Sequence, residues 1–153
     1  CHIVDGESKA DTTEGIRTLT NPDSVTEIGY WAFQYCSSLT SVTIPDSVTT
    51  IGDYAFYGCS SLTSVTIGDS VTTIGGAAFY ECSSLTSVYC KAINPPTTIV
   101  DNDGYWFGFA KEDDSGNICN IGCTIYVPTE SVESYKSASG WSEYASDIVG
   151  YNF

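Results

Sequence analysis

The chain repeats itself every 23 residues, and this constrains its fold more than any other feature. The string Cys-Ser-Ser-Leu-Thr-Ser-Val begins at Cys36, at Cys59 and at Cys82. A second string, Asp-Ser-Val-Thr-Thr-Ile-Gly, begins at Asp46 and again at Asp69. A period of this length is typical of solenoids, in which each unit stacks only on its neighbours. We therefore predict a repeat solenoid.

Each period is predicted to contain two short extended segments and one tight turn. Val42 and Ile44 alternate with hydroxyl residues, as in a half-buried strand. Val48 and Ile51 form a second apolar pair in the second extended segment. Phe56 follows and is expected to fill the core on the side opposite the first strand. One unit cannot bury these side chains alone, whereas stacked units can. The array is therefore expected to be mostly β structure.

The ends of the chain depart from the repeat and define the predicted domains. We expect an N-terminal extension over residues 1–15 and the solenoid over 16–128, with an insertion near 108–118. The residues Trp106–Phe107 are expected to replace the repeated Ala-Phe pair, and Ile125–Pro128 to form the last strand. Apolar residues at helical spacing, including Ile148 and Val149, predict a helical C-terminal cap over residues 129–153.

The repeat string resembles a known family. Residues 39–59 read Leu-x-x-Val-x-Ile-Pro-x-x-Val-x-x-Ile-Gly-x-x-Ala-Phe-x-x-Cys, which is similar to the BspA-like subfamily of leucine-rich repeats. The resemblance covers residues 16–128 and implies a right-handed coil with a parallel sheet on its concave side. It also implies a secreted or cell-surface location and adhesion to host proteins or other cells. Cys90, which stands in place of isoleucine, and the insertion depart from the family pattern.

The charge of the chain restricts its partners. Nineteen acidic residues against five basic ones give a net charge of -14. Such a field repels phosphate backbones and anionic lipids, which argues against nucleic acid as a partner. No run of 18 apolar residues is present, so direct membrane insertion is not expected. The chain opens at Cys1 rather than Met, which suggests a processed piece of a longer product, and lipid attachment at Cys1 stays an alternative.

The cysteines are predicted to be structural. Cys36, Cys59, Cys82 and Cys119 occupy one repeat column, which favours a ladder of buried thiols because stacked side chains point the same way. Cys90 is expected to fill the core. Cys1 and Cys123 are the cysteines expected to be exposed.

Metal sites and catalysis are disfavoured. Cys119 and Cys123 lack the second ligand pair of a zinc site, and residues 101–104 lack the spacing of a calcium loop. A Ser-His-Asp arrangement needs a histidine held inside the fold, whereas the only histidine, His2, lies at the N-terminus. We therefore expect no metal, no cofactor and no enzymatic activity.

Binding remains the expected activity, with an unidentified surface protein or glycan of the host or of bacteria as the partner. The outward face of the predicted sheet is hydroxyl-rich with few anchors, whereas aromatic residues flank the Ala-Phe pairs and the insertion. The alternative is a structural spacer or stalk of a larger surface protein, and the oligomeric state stays open. Asp-Ser-Val strings leave O-glycosylation at Ser24, Ser47 and Ser70 as a further hypothesis. The candidate ligand contacts are Tyr105, Trp106, Phe109, Tyr57, Tyr80, Thr43, Thr66 and Tyr89.

Overall fold

The fold was determined as a computed structural model, in which residues 25–98 and 108–153 are described. These residues form successive coils of short strands, followed by a short cap with three helical segments. The strands are β1 (Glu27–Ile28), β2 (Ser41–Thr43), β3 (Thr50–Ile51), β4 (Ser64–Ile67), β5 (Thr73–Ile74), β6 (Ser87–Cys90), β7 (Thr97–Thr98), β8 (Ala110–Glu112), β9 (Ile118–Asn120), β10 (Thr124–Pro128) and β11 (Ile148–Tyr151). The cap contains a 3-10 turn (Thr129–Ser131), helix α1 (Val132–Ser137) and a 3-10 segment (Ser142–Asp147).

Two parallel sheets run along the coil. One has five strands in the order β11-β10-β6-β4-β2, and the other has four strands in the order β1-β3-β5-β7. The register follows the sequence repeat, because Ser41 pairs with Ser64 and Ser64 pairs with Ser87. The predicted solenoid of stacked repeats with parallel strands is confirmed.

The Ala-Phe pairs form a third wall, which is built without strands. The backbone N–H of Phe33 donates to Ala55 O at 2.7 Å, and that of Phe56 donates to Ala78 O at 2.8 Å. The Phe33, Phe56 and Phe79 rings are fully buried and stack in parallel, with centroids 5.0 and 5.3 Å apart. Large buried rings placed every 23 residues therefore join successive coils through the core.

Phe109 extends this stack, with its centroid 5.5 Å from that of Phe79. The sequence suggested that Trp106–Phe107 would replace the Ala-Phe pair, but those residues lie outside the described part of the chain. The position that follows Phe79 in the stack belongs to Phe109.

The insertion is an antiparallel hairpin of β8 and β9. Its turn has the chemistry that the sequence indicated, since one carboxylate oxygen of Asp113 accepts the backbone N–H groups of Ser115 at 2.8 Å and Asn117 at 2.9 Å. Gly116 lies in the same turn at a φ of 80°, where a side chain would be strained. The hairpin therefore leaves the coil and returns to it without disturbing the stacking of the core.

The C-terminal segment is a helical cap that ends in a strand. Helix α1 and the 3-10 segment agree with the predicted helical cap, but the expectation that Ile148 and Val149 would be helical is wrong. They belong to β11 and pair in parallel with Ile125 and Tyr126 of β10. An open strand edge supplies backbone partners that a last helical turn would lack, so the chain closes the sheet with one more strand. The strand β10 is therefore not the last one.

Two buried aromatic residues fasten the cap to the loop that follows β6. The Tyr135 hydroxyl donates to Ala92 O at 2.6 Å, and Trp141 Nε1 donates to Pro96 O at 2.9 Å. The two rings meet edge to face with centroids 4.9 Å apart, and both side chains are fully buried. The cap thus satisfies backbone carbonyls of the loop while covering the apolar end of the coil.

The cysteine ladder is confirmed at two of its four predicted positions. The Cys59 thiol donates to Phe33 O at 3.0 Å and that of Cys82 to Phe56 O at 3.1 Å, and both cysteines are buried and free. Cys36 is instead disulfide-bonded. Cys119 pairs with Lys111 in the hairpin, so its backbone does not follow the coil and it leaves the column.

The expectation that Cys123 would be exposed is wrong, because it is buried in the core. Burial raises the pKa of its thiol to about 12, and burial likewise raises that of Cys90 to about 11. Both thiols therefore stay neutral and pack as small apolar groups, as predicted for Cys90.

One ion pair links distant coils at the surface. The Asp46 carboxylate accepts the Asp69 backbone N–H at 2.9 Å and lies 3.1 Å from Lys91 Nζ. The pKa of Asp46 is lowered from 3.8, chiefly by the Asp69 N–H and also by Lys91. Because the folded pKa is depressed, this stabilisation is present above the unfolded pKa and is lost as the pH falls through the folded pKa.

Replacing Lys91 by glutamine is expected to raise the pKa of Asp46 only part of the way back to 3.8, because the Asp69 N–H remains. The free energy of unfolding should fall by less than about 1 kcal/mol, since both partners are partly exposed. An NMR titration of the Asp46 carboxyl group measures the shift, and Lys136→Gln in the cap serves as the control. An Asp46 pKa that is identical in Lys91→Gln and the parent would contradict the assignment.

Candidate functional site

The exposed face of the five-stranded sheet carries two rows of side chains that run across the strands. Val42, Val65 and their equivalents point into the core, so the alternating residues face outward. The first row consists of hydroxyl residues only, namely Ser41, Ser64, Ser87 and Thr124 in register. The second row is Thr43, Thr66, Tyr89, Tyr126 and Val149, also in register.

The second row changes from threonine to large side chains at the C-terminal end of the sheet. We define the sheet-face patch as Tyr89, Tyr126, Tyr151 and Phe153. The rings of Tyr89 and Tyr126 stack with centroids 4.6 Å apart, and Tyr151 meets each of them edge to face at 5.5 and 5.6 Å. Phe153 extends the cluster, with its ring 4.9 Å from that of Tyr151. Three rings are thus in mutual contact on one face, and Phe153 joins them through Tyr151.

The sheet-face patch remains accessible to solvent. Tyr151 is 43% exposed and Phe153 is 51% exposed, although aromatic side chains of this size are usually more buried. The sequence suggested a flat hydroxyl-rich face with few anchors, which holds for β2 and β4 but is wrong for this end of the sheet. Tyr151 and Phe153 were missed because the strand β11 was expected to be helical. Tyr126 lies in the predicted strand Ile125–Pro128, where alternation alone places it on the outward face. The β-branched pair Ile148–Val149 beside Tyr151 was the signal that could have indicated a strand.

A second group of aromatic side chains lies on the wall formed by the Ala-Phe pairs. We define the outer-wall patch as Trp31, Tyr35, Tyr54 and Tyr57. The Trp31 and Tyr54 rings stack at 4.2 Å with an angle of 3° between their planes. Tyr57 meets Tyr54 edge to face at 5.7 Å and meets Tyr35 edge to face at 5.4 Å. This patch spans two successive coils.

The structure removes two residues from the candidate ligand contacts and leaves four. Phe109 is fully buried in the phenylalanine stack and Tyr80 is only 4% exposed, because the insertion hairpin packs against it through Ala110. Neither side chain can meet a ligand at the surface. Tyr105 and Trp106 lie outside the described residues. Those that remain at the surface are Thr43, Thr66 and Tyr89 on the sheet face and the half-buried Tyr57 on the outer wall.

Serine residues of the Asp-Ser-Val strings have structural partners. The Ser47 hydroxyl donates to Val25 O at 2.6 Å, and the exposed Ser70 hydroxyl donates to Asp69 Oδ1 at 3.2 Å. Ser24 lies outside the described residues. The bond of Ser47 is a coil-to-coil contact, so turn chemistry accounts for this serine, and glycosylation of the serines stays a hypothesis.

The described part of the chain offers no metal centre. Within residues 25–98 and 108–153, no group of three His, Cys, Asp or Glu side chains is arranged to hold a metal ion. The calcium-like residues 101–104 fall outside those ranges. Every helix in the same ranges is too short or too polar to span a bilayer. What the described surface presents is therefore two aromatic patches on an acidic coil.

The repeats match a family model described as BspA type leucine-rich repeat region, in six copies over residues 10–102. No curated protein matches the chain.

Three bacterial crystal structures show similarity to this chain. A leucine-rich repeat protein from Bacteroides ovatus ATCC 8483 shares 25% identity over 63% of this chain and 36% of its own, with a TM-score of 0.44. The leucine-rich repeat protein of T. pallidum shares 20% identity over 90% and 69% of the two chains, with a TM-score of 0.49. A leucine-rich cell surface protein from Faecalibacterium prausnitzii A2-165 shares 25% identity over 82% and 43%, with a TM-score of 0.37. The chain thus spans about a third of the first structure's length.

Proposed function

Since the chain belongs to the BspA-type leucine-rich-repeat family, we propose that it is a non-catalytic interaction module that binds a protein partner through the sheet-face patch. The family fold generally presents surfaces rather than reaction centres. Secretion or display at the cell surface, with adhesion to a host or bacterial protein, forms part of the same proposal.

The observation that carries the proposal is the cluster of four contacting rings on an otherwise hydroxyl-rich sheet face. Tyrosine combines a large apolar surface with a hydroxyl group, and such residues dominate the binding energy of many interfaces. Their mutual packing also fixes the ring positions before a partner arrives, which reduces the entropy lost on binding. Thr43 and Thr66, which continue the row, supply a flat polar rim beside the rings.

The test compares two exposed tyrosines on different faces of the coil. Tyr151→Ser removes a ring from the centre of the sheet-face patch, whereas Tyr30→Ser removes a ring that is 64% exposed and lies outside both patches. Each variant and the parent chain are screened on arrays of host matrix proteins and on intact bacterial cells. We expect Tyr151→Ser to weaken specific binding at least about 10-fold, as for a central interface anchor, while Tyr30→Ser changes it less than about twofold.

The result also decides between the proposed partner class and its alternatives. If Tyr151→Ser and Tyr126→Ser both bound the partner with the affinity of the parent chain, the sheet-face patch would not be the contact surface. A ligand found only on a glycan array would change the partner from protein to sugar. If the parent chain bound nothing on any array, the spacer or stalk would be favoured, in which the stacked coils only hold other parts of a larger protein apart.

A further inference from the structure

The outer-wall patch differs from the sheet-face patch in the backbone that carries it. Trp31 and Tyr54 occupy equivalent places in successive coils and have positive φ values of 60° and 58°. Tyr35 also lies in this left-handed region, with a φ of 54°. Non-glycine residues are disfavoured there, and bulky side chains in particular are uncommon.

The coil itself does not require aromatic side chains at these places. Ala77 occupies the place of Trp31 and Tyr54 in a later coil, and Gly58 occupies the place of Tyr35, with φ values of 55° and 71°. Small residues therefore satisfy the backbone. Stacking between coils accounts for part of the preference for rings, but Trp31 is still 47% exposed and Tyr35 is 63% exposed. The backbone geometry of the coil therefore does not account for the large exposed side chains of Trp31 and Tyr35.

Two carboxylates border the outer-wall patch. The Glu112 backbone N–H donates to Glu81 Oε1 at 2.7 Å, which joins the hairpin to the wall. Burial raises the pKa of Tyr57 to about 12, together with the charge and hydrogen bonding of the neighbouring Tyr35 hydroxyl. The negative charges of Glu81 and Glu112 raise it further. The Tyr57 ring stacks on that of Tyr80, the chain neighbour of Glu81, with centroids 5.8 Å apart. The Glu81 backbone N–H donates to Ala110 O at 2.9 Å, so Glu81 and the hairpin residue Glu112 lie beside the patch.

These carboxylates have no cationic partner within the described residues. The ion pair found there joins Lys91 to Asp46, away from Glu81 and Glu112. The chain as a whole carries a net charge of -14. Exposed rings beside carboxylates that have no cationic partner in the described residues form a surface that is complementary to arginine, whose planar guanidinium group stacks on aromatic rings and pairs with carboxylates.

We propose that the outer-wall patch, bordered by Glu81 and Glu112, binds an arginine-rich segment of a partner protein. One guanidinium group lies against the exposed rings, and a second pairs with the carboxylates. This surface is separate from the sheet-face patch, so the module has two faces for contact with partners.

The test uses a synthetic peptide of four Arg-Gly repeats, titrated into the full chain by calorimetry at 150 mM salt. The key variant is Trp31→Gly/Tyr35→Gly, which removes two rings while giving glycine to backbone positions that suit it. It should fold, as circular dichroism will verify, and should bind the peptide at least about 10-fold more weakly.

A matched pair of charge variants separates the site from general attraction to an acidic protein. Glu81→Gln/Glu112→Gln should weaken binding about 10-fold, whereas Glu130→Gln/Glu133→Gln, which removes two exposed carboxylates from the cap, should change it less than about twofold. Tyr151→Ser should leave peptide binding unchanged, which keeps this result independent of the sheet-face proposal. Equal weakening by both glutamine pairs, or full affinity in the glycine variant, would overturn the proposal.

Discussion

Replacing Trp141 by alanine is expected to lower the free energy of unfolding by about 3–5 kcal/mol, in the range measured for other buried large-to-small changes. The indole is fully buried beneath the cap, where it contacts Tyr135 and lies 6.3 Å from Phe109 between ring centroids. Its loss opens a cavity at the junction of the cap and the phenylalanine stack. It also leaves Pro96 O without the indole N–H that it accepts at 2.9 Å. Urea unfolding followed by circular dichroism measures the change.

Trp141→Phe separates the cavity from the hydrogen bond. It keeps most of the apolar volume but removes the N–H, so the loss should fall to about 1–2 kcal/mol, the cost of leaving a buried carbonyl unsatisfied. If Trp141→Ala unfolded at the parent's urea midpoint, the cap would contribute nothing to the stability of the coil. Equal losses in both variants would assign the whole effect to the hydrogen bond.

Replacing Gly75 by alanine is expected to lower the free energy of unfolding by about 3 kcal/mol, because the added methyl group would clash with the backbone of the neighbouring coil. A Cβ atom at Gly75 would overlap the Asp53 backbone nitrogen and the carbonyl carbon of Gly52. Gly52 in turn would place a Cβ only 2.9 Å from the carbonyl carbon of Gly29. Glycine in this column therefore sets how closely successive coils approach, and the clash is with backbone that cannot rotate away.

Gly116→Asn is the matched control for this prediction. A Cβ atom at Gly116 meets nothing within 4 Å, and asparagine tolerates the left-handed backbone that this turn requires. Its unfolding free energy should stay within about 0.5 kcal/mol of the parent, as for most surface changes. If Gly75→Ala were as stable as Gly116→Asn, the close stacking at this column would not limit the coil.

The coil could be predicted from the sequence because its determinants are local and repeated. The alternation of Val42 and Ile44 with hydroxyl residues predicts a strand from a few neighbouring positions. The 23-residue offset predicts which residues lie above one another in stacked units. The strand β11 could not be predicted in the same way, because Ile148 and Val149 fit a helix and a strand equally well. What decides between them is the open edge of β10, which is a partner distant in the sequence.

The candidate site was predicted only at the residues that the repeat itself positions. Thr43, Thr66 and Tyr89 follow from strand alternation and lie on the sheet face. Phe109 was expected at the surface because the length of the insertion conceals which aromatic residue continues the stack. Tyr151 contacts both Tyr89 and Tyr126 in the sheet-face patch, and its position depends on β11. It was therefore missed together with that strand.

The hydrogen bonds that join equivalent residues of successive coils have a mechanical consequence. The Thr63 N–H donates to Thr40 O at 2.8 Å and the Thr86 N–H to Thr63 O at 2.9 Å, so these bonds point along the direction in which the coils stack. A tension applied along that direction loads all layers in series with the same force, so the weakest layer opens first and the layers separate one after another. Each layer that opens releases 23 residues, or roughly 80 Å of extended chain, in place of about 5 Å of folded length. Each layer that opens would therefore add roughly 75 Å to the span of a module that is anchored at one end and bound at the other.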